Sequence, residues 1–191
     1  MTKKLLALAL AALLALTLLA SCGEKEPVAA DVPLADLHNA IKNAYGEEYM
    51  ANMPIDAEYL ETLVGIKPEW CEEFVAEPPM IGFNPDILMI IKPTEGNEEN
   101  VMNAFNAYYD YCTNNDYPAN AEKVQATEIF SEGGYCFYFT LGWIPDDFIW
   151  ELEESGKSEE EISAEKLAYA EKNNQKGIDA VNALFFPAES K

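Results

Sequence analysis

The sequence predicts an α+β fold, a four-stranded antiparallel sheet built from two similar helix–hairpin halves. The halves are residues 34–92 and 98–143, and each contains a helical segment followed by two β-like segments around a turn. The apolar run at residues 87–91 has no polar face, which is typical of a strand covered on both sides. We therefore expect helices on one face of the sheet and the C-terminal helix on the other.

Apolar residues recur at helical spacing in three segments, residues 34–45, 56–65 and 98–112. Asp56 begins the second segment and Asn97 precedes the third, and each can act as an N-cap. Glycines follow the first segment and end the second, and glycine is a common stop signal for a helix. The sequence therefore predicts three helices before the C-terminal region.

Two pairs of β-like segments surround turn sequences. Residues 75–83 and 87–92 flank Asn-Pro-Asp, and residues 123–130 and 135–143 flank Ser-Glu-Gly-Gly. The last segment alternates strictly, which predicts one core-facing row of side chains: Tyr135, Phe137, Phe139, Leu141 and Trp143. A solvent-facing aromatic platform for sugar or peptide is the alternative.

The C-terminal region, residues 144–191, is strongly acidic and mostly helical in pattern. Ser158 with Glu161 matches a capping box, and the helical spacing that follows is interrupted at residues 173–175 and ends at Pro187. We expect this helix to cover the second face of the 87–91 strand. The alternative is that its Leu-Phe-Phe end docks on a partner protein.

The first 21 residues have the features of a lipoprotein signal peptide. Residues 5–20 are almost all Leu and Ala and follow two lysines; they are shorter than the about 20 residues of a spanning helix but suit a signal-peptide core. The Leu-Ala-Ser-Cys sequence resembles the bacterial lipobox. We expect cleavage between Ser21 and Cys22 and attachment of diacylglycerol and a fatty acid such as palmitate to Cys22. An ordinary signal peptide and an uncleaved membrane helix are the alternatives.

The remaining chain divides into a tether and one domain. Residues 22–33 carry charges and two prolines without periodicity, so we expect an acidic tether between membrane and domain. Residues 34–191 have the length of a single α+β domain, with a core at 34–143 and a helical C-terminal extension at 144–191.

Charge and composition exclude several classes of partner. The chain has twelve lysines, no arginine and 34 acidic residues, for a net charge of −22. Nucleic-acid binding depends on neutralising phosphates with basic side chains, so we expect none here. A bidentate arginine clamp on a phosphate or carboxylate substrate is impossible without arginine.

Reactive side chains are few. Cys71, Cys112 and Cys136 form no CxxC pair and His38 is the sole histidine, so we expect largely buried free thiols, no metal site and no cofactor. His38 borders the first apolar stripe, where packing or a hydrogen bond is the expected role. A nucleophilic Cys–His pair built on His38 is the alternative.

The acidic clusters do not predict catalysis. Those at residues 72–73, 146–147 and 159–161 are expected to be solvated, because adjacent residues on a helix do not face each other. The Asn-Asn-Asp sequence at 114–116 offers oxygen ligands but lacks the register of a calcium loop. The chain has no nucleophile elbow, P-loop or Rossmann glycine pattern. The sequence therefore predicts no catalytic residue.

Three segments together resemble a known family. They are residues 44–56 (AYGEEYMANMPID), residues 73–82 (EFVAEPPMIG) leading into 86–96, and residues 123–126 (KVQA) followed by the strand at 135–142. They resemble the bacterial lipoproteins grouped as domain of unknown function 4358, over about residues 34–143. The resemblance implies an envelope lipoprotein and carries over no activity, cofactor or catalytic residue.

These observations favour a non-enzymatic binding or scaffold module, lipid-anchored at the extracytoplasmic face of the cell membrane. Its expected partners are the membrane, through the anchor, and an envelope protein or glycan. An accessory subunit or enzyme of cell-surface glycan modification is one alternative, which a pocket joining Tyr138, His38 and a carboxylate would favour. A cation-binding lipoprotein is the other.

Overall fold

The computed structural model describes residues 31–80, 84–115 and 120–187. Its helices and strands follow in this order: α1 (Leu34–Tyr45), α2 (Ala57–Val64), β1 (Cys71–Glu77), β2 (Ile87–Pro93), α3 (Glu98–Asn115), α4 (Ala121–Gln125), β3 (Glu128–Glu132), β4 (Tyr135–Thr140), α5 (Asp146–Glu154) and α6 (Glu159–Phe185). None of the helices in these ranges combines the length and apolarity that crossing a bilayer requires.

The four strands form one antiparallel sheet in the order β1-β2-β4-β3, so the predicted α+β fold is confirmed. The two strand pairs meet through β2 and β4. Alternate residues of β2 enter two different cores, Leu88 and Ile90 on one face of the sheet and Ile87, Met89 and Ile91 on the other. The prediction of a central strand buried on both sides is thus correct.

Helices cover both faces of this sheet. Helices α1 and α6 pack with Leu88 and Ile90 on the first face, and α2 and α3 pack with Met89 and Ile91 on the second. The C-terminal helix therefore covers its own face, as expected, but α1 lies beside it rather than with α2 and α3. One helix about 10 Å wide is too narrow for four strands spaced about 4.8 Å apart, so this face needs two helices.

Strand boundaries differ from the prediction at several points. The first strand was predicted at residues 75–83, whereas β1 spans Cys71–Glu77, so it begins four residues earlier. The second hairpin closes at Gly133 and Gly134, both with positive φ, as a two-residue turn requires. The first pair is joined by a longer connection, because Pro78 and Pro79 have no amide hydrogen to continue β1. The segment predicted as a strand at 123–130 begins instead with the short helix α4.

The alternating side chains of β4 form core on both faces of the sheet. Tyr135, Phe137, Phe139 and Leu141 lie in the first core, which confirms the prediction for four of the five residues. Trp143 is exposed and does not belong to that row. The reason is Gly142, whose φ of +93° ends the extended conformation before Trp143.

Helix α6 is continuous through residues 173–175, where the sequence suggested an interruption. Its start carries the predicted capping box of Ser158 and Glu161. Asn173 and Asn174 are buried and bind main-chain groups of neighbouring segments. Asn174 Oδ1 accepts a hydrogen bond from Leu141 N (2.8 Å) and its Nδ2 donates to Ala126 O (2.6 Å). These asparagines attach the helix to the end of the sheet.

Replacing Asn174 with alanine is expected to lower the free energy of unfolding by about 2–4 kcal/mol, because two buried main-chain groups lose their partner. Thermal or urea unfolding of the variant measures this loss. The control is Gln175→Ala on the same turn, whose exposed side chain donates to Asp179 Oδ1 (2.8 Å) and should change stability by less than about 0.5 kcal/mol. Equal stability of the two variants would contradict the anchoring role of Asn174.

Candidate functional site

The predicted lipidation site lies outside the described residues. Ser21 and Cys22 precede residue 31, where the description begins. The cleavage and acylation of this segment therefore remain a prediction.

His38 is a hydrogen-bonding residue of the first face. Its Nε2 lies 2.9 Å from Glu77 Oε2, and the Tyr49 hydroxyl donates to the same oxygen at 2.7 Å. Burial by itself raises the pKa of Glu77, but the hydrogen bonds from His38 and Tyr49 outweigh it and hold this pKa below its ordinary value. The three side chains join α1, the end of β1 and the segment after α1, as a hydrogen-bonding role for His38 predicts.

Tyr138 lies on the opposite face of the sheet from His38. Its ring packs against Phe105 (5.6 Å between centroids) and Tyr108 (5.5 Å) in the second core, whereas α1 with His38 covers the first. Burial raises the pKa of the Tyr138 phenol. A pocket that joins Tyr138, His38 and a carboxylate, the feature that would favour glycan chemistry, is not formed by these residues.

The thiols have the low reactivity of buried cysteines. Cys71 and Cys136 are free, and burial raises the pKa of Cys71 to about 11 and that of Cys136 to about 12. Both thiols are therefore protonated at neutral pH, whereas a nucleophilic cysteine has to be a thiolate. Cys112 is buried on α3, as the sequence predicts.

The acidic clusters do not converge. Glu72 and Glu73 share the half-exposed Lys92, at 3.2 Å and 3.6 Å, while Asp146 and Asp147 are exposed in the first turn of α5. Across residues 31–80, 84–115 and 120–187, no group of three His, Cys, Asp or Glu side chains could hold a metal ion.

A buried ion pair that the sequence did not predict lies at the start of β2. Lys123 Nζ binds Asp86 Oδ1 and also donates to Asn84 Oδ1 at 3.1 Å. Burial raises the pKa of Asp86 and lowers that of Lys123, and the attraction between the two charges offsets only part of each shift. Both side chains are almost inaccessible to solvent, so the pair is suited to linking α4 to the sheet rather than to reacting with a ligand.

An open groove of about 590 Å³ lies between α2 and α3. We call it the tyrosine groove, and its lining is Tyr59, Thr62, Leu63, Val64, Ala107, Tyr108, Tyr111 and Cys112. Tyr59 is 51% exposed and Tyr111 is 56% exposed, although both are large aromatic residues. The rings therefore stand at the surface, where a ligand can reach them.

A second cavity of about 160 Å³ adjoins the tyrosine groove and shares Tyr59, Leu63 and Tyr108 with it. We call it the narrow end of the groove; its other lining residues are Met53, Pro78, Pro79, Asn84, Pro85 and Ile87. The two cavities together make a mainly apolar and aromatic surface that extends from α2 and α3 to the segments before β2.

Helical spacing pointed to part of this site but not to its role. Tyr59 and Tyr108 fall on the predicted apolar stripes, yet Leu60 and Val64 occupy the core while the Tyr59 ring remains exposed. The only signal in the sequence for Tyr111 is that a large aromatic residue stands outside the stripe of α3. The sequence predicted none of these three tyrosines as a site residue.

A family model described as Domain of unknown function (DUF4358) matches residues 44–141, which is more than half of the chain. This range includes α2, α3 and all four strands, and so the whole tyrosine groove. Searches of curated proteins and of solved structures found no significant match. The chain therefore belongs to the DUF4358 family.

Proposed function

We propose that the protein is a membrane-anchored, extracytoplasmic binding module that uses the tyrosine groove as its ligand site. The observation that carries the proposal is the exposed pair of rings, Tyr59 and Tyr111, at an open groove of about 590 Å³. Concave, largely apolar surfaces with aromatic side chains are typical ligand sites. Tyrosine also supplies large contact area together with a polar hydroxyl group.

The ionisable groups support binding rather than catalysis. His38 and Glu77 bind each other on the first face, Lys123 and Asp86 are enclosed, and Tyr138 is buried in the second core. A general acid–base pair has to reach a common substrate atom. These groups lie apart, whereas the groove presents an accessible surface.

Replacing Cys22 with serine is expected to release the protein from the membrane fraction. Diacylglycerol with a further acyl chain anchors a protein stably, and serine has no thiol to form the thioether. Membrane fractionation and intact mass of the isolated protein measure the result. Cys71→Ser, which changes a half-buried thiol within the domain, should leave the protein in the membrane. Retention of Cys22→Ser in the membrane would contradict the anchor.

Site-specific photo-crosslinking tests the groove in cells. A benzoylphenylalanine residue in place of Tyr59 should give a discrete adduct that ultraviolet light induces. The matched control has the same residue in place of Trp150, an exposed aromatic side chain on α5 that is not among the groove residues. The proposal predicts adducts from position 59 that are absent from position 150. Identical adducts, or none from position 59, would contradict it.

A further inference from the structure

The shape of the tyrosine groove suits an extended chain. The groove between α2 and α3 and its narrow end share Tyr59, Leu63 and Tyr108, so one ligand can contact both. Aromatic-lined grooves of this kind bind extended peptides, in which the side chains fill apolar positions and the main chain supplies hydrogen bonds. A compact ligand would leave part of this length unused.

The polar groups in the groove are too few for a sugar chain. Apart from the three tyrosines, the polar side chains of the lining are Thr62, Cys112 and Asn84. The Thr62 hydroxyl already donates to Glu58 O at 3.0 Å. Each sugar hydroxyl that is buried without a partner weakens binding. The lining therefore favours aliphatic and proline side chains over a saccharide.

The charge around the groove is negative. Exposed Glu58 and Glu61 belong to α2, and exposed Asp110 belongs to α3, while neither helix contains a lysine. Glu58 is the i−4 neighbour of Thr62, and Asp110 is the i+3 neighbour of Ala107, so both lie beside the lining. A basic side chain would gain from these carboxylates and from the faces of the tyrosine rings.

Asn84 supplies a positioned donor at the narrow end. Its Oδ1 accepts hydrogen bonds from Lys123 Nζ (3.1 Å) and from Asp86 N (3.2 Å), which fixes the orientation of the side-chain amide. Its Nδ2 is buried and has no hydrogen-bond partner in the described part of the chain. Asn84 lines the narrow end, and a small shift of this lining on ligand binding would let a ligand carbonyl oxygen reach the N–H.

From these four observations we infer that the tyrosine groove binds an extended, basic peptide segment of another envelope protein, with a main-chain carbonyl accepting from Asn84. The inference rests on the proposed function and specifies the chemistry of its ligand. It assigns Tyr59 and Tyr111 to ring contacts and Glu58, Glu61 and Asp110 to charge recognition.

Fluorescence anisotropy with the full-length lipoprotein in detergent micelles tests this assignment. The probes are a panel of labelled ten-residue peptides composed of Pro, Leu and Lys, each with a partner in which Glu replaces Lys. A neutral N-acetylglucosamine oligomer serves as a competitor. The lysine peptides should bind and the glutamate peptides should not. Amide NMR should show the Asn84 side-chain signals shifting when a lysine peptide is added.

Variants locate the binding. Tyr59→Ala and Tyr111→Ala should each weaken lysine-peptide binding by about tenfold or more, as expected for aromatic anchors. The triple variant Glu58→Gln, Glu61→Gln, Asp110→Asn should weaken it mainly at low salt, where charges are least screened. Trp150→Ala should bind like the unaltered protein. Circular dichroism spectra confirm that each variant is folded.

The outcomes separate this inference from the proposed function. Binding of the saccharide or of the glutamate peptides that depends on Tyr59 would overturn the basic-peptide assignment and leave the groove as a ligand site. If no lysine peptide binds but position 59 gives adducts in cells, the basic-peptide assignment is overturned and the groove remains a ligand site. Failure of the peptides together with no adduct from position 59 would overturn both.

Discussion

Replacing Lys123 with methionine is expected to lower the free energy of unfolding by about 3–5 kcal/mol, because the buried Asp86 carboxylate loses its cation. Lys123 and Asp86 are both nearly inaccessible to solvent, so water cannot take the place of the lost charge. Urea unfolding at neutral pH measures the change. The double variant Lys123→Met, Asp86→Leu should recover much of the loss, since it leaves no unpaired charge in the interior.

This destabilisation should depend on pH. Burial raises the pKa of Asp86 above its ordinary 3.8 even beside Lys123, and removal of Lys123 raises it further. A carboxyl whose pKa is raised in the folded protein contributes stability at acid pH that is lost as the pH rises through that pKa. The difference between variant and unaltered protein should therefore be largest near neutral pH and shrink as the pH falls toward 3.8.

The control for this prediction is the exposed pair of Lys157 and Glu165. Lys157→Met should cost less than about 1 kcal/mol, because solvent screens an exposed ion pair. A pH-independent loss in Lys123→Met would show that packing, rather than the charge on Asp86, determines its stability.

Replacing Phe185 with alanine is expected to cost about 3–5 kcal/mol, the usual range for removing a large core side chain. Phe185 is 1% exposed, lies in the first core, and its ring centroid is 6.4 Å from that of Tyr135. The ring also closes on Gly133, where an added Cβ atom would clash with it. Thermal unfolding measures the loss.

The neighbouring residue provides a matched control. Phe186 is 37% exposed, so Phe186→Ala should cost clearly less than Phe185→Ala.

Deleting residues 158–191 should expose the first core, including Phe137 and Phe139, and yield an aggregating protein. A soluble, folded truncation would contradict the core role of α6.

Periodicity predicted the fold well because each element carries its own local signal. The stripe of α1, the Gly-Gly turn of the second hairpin, the alternation along β4 and the capping box at Ser158 all come from residues a few positions apart. The apolar run of β2 even predicted that both faces of the sheet would be covered. The lipobox-like Leu-Ala-Ser-Cys motif is also local. It predicts where the protein is located from adjacent residues alone and does not depend on any tertiary contact of the domain.

Features that join distant segments could not be predicted from these patterns. The pair of Lys123 and Asp86 brings together residues 37 positions apart, and a strand pattern at residue 123 gave no reason to place a buried cation there. Asn173 and Asn174 looked like an interruption of a helix because their main-chain partners belong to other elements. Polar side chains in a core become interpretable only when their partners are known.

The sequence by itself determined most of the secondary structure, the sheet, the family and the predicted anchor at Cys22, since these depend on local spacing and motifs; the start of the 123–130 segment and the middle of α6 are the exceptions. Only the tertiary structure decided that α1 lies beside α6, because the width of the sheet sets how many helices each face needs. It also decided that Tyr59 and Tyr111 remain exposed between α2 and α3. A helical stripe shows which residues are apolar, but the distance between two packed helices determines which of them stay open to a ligand.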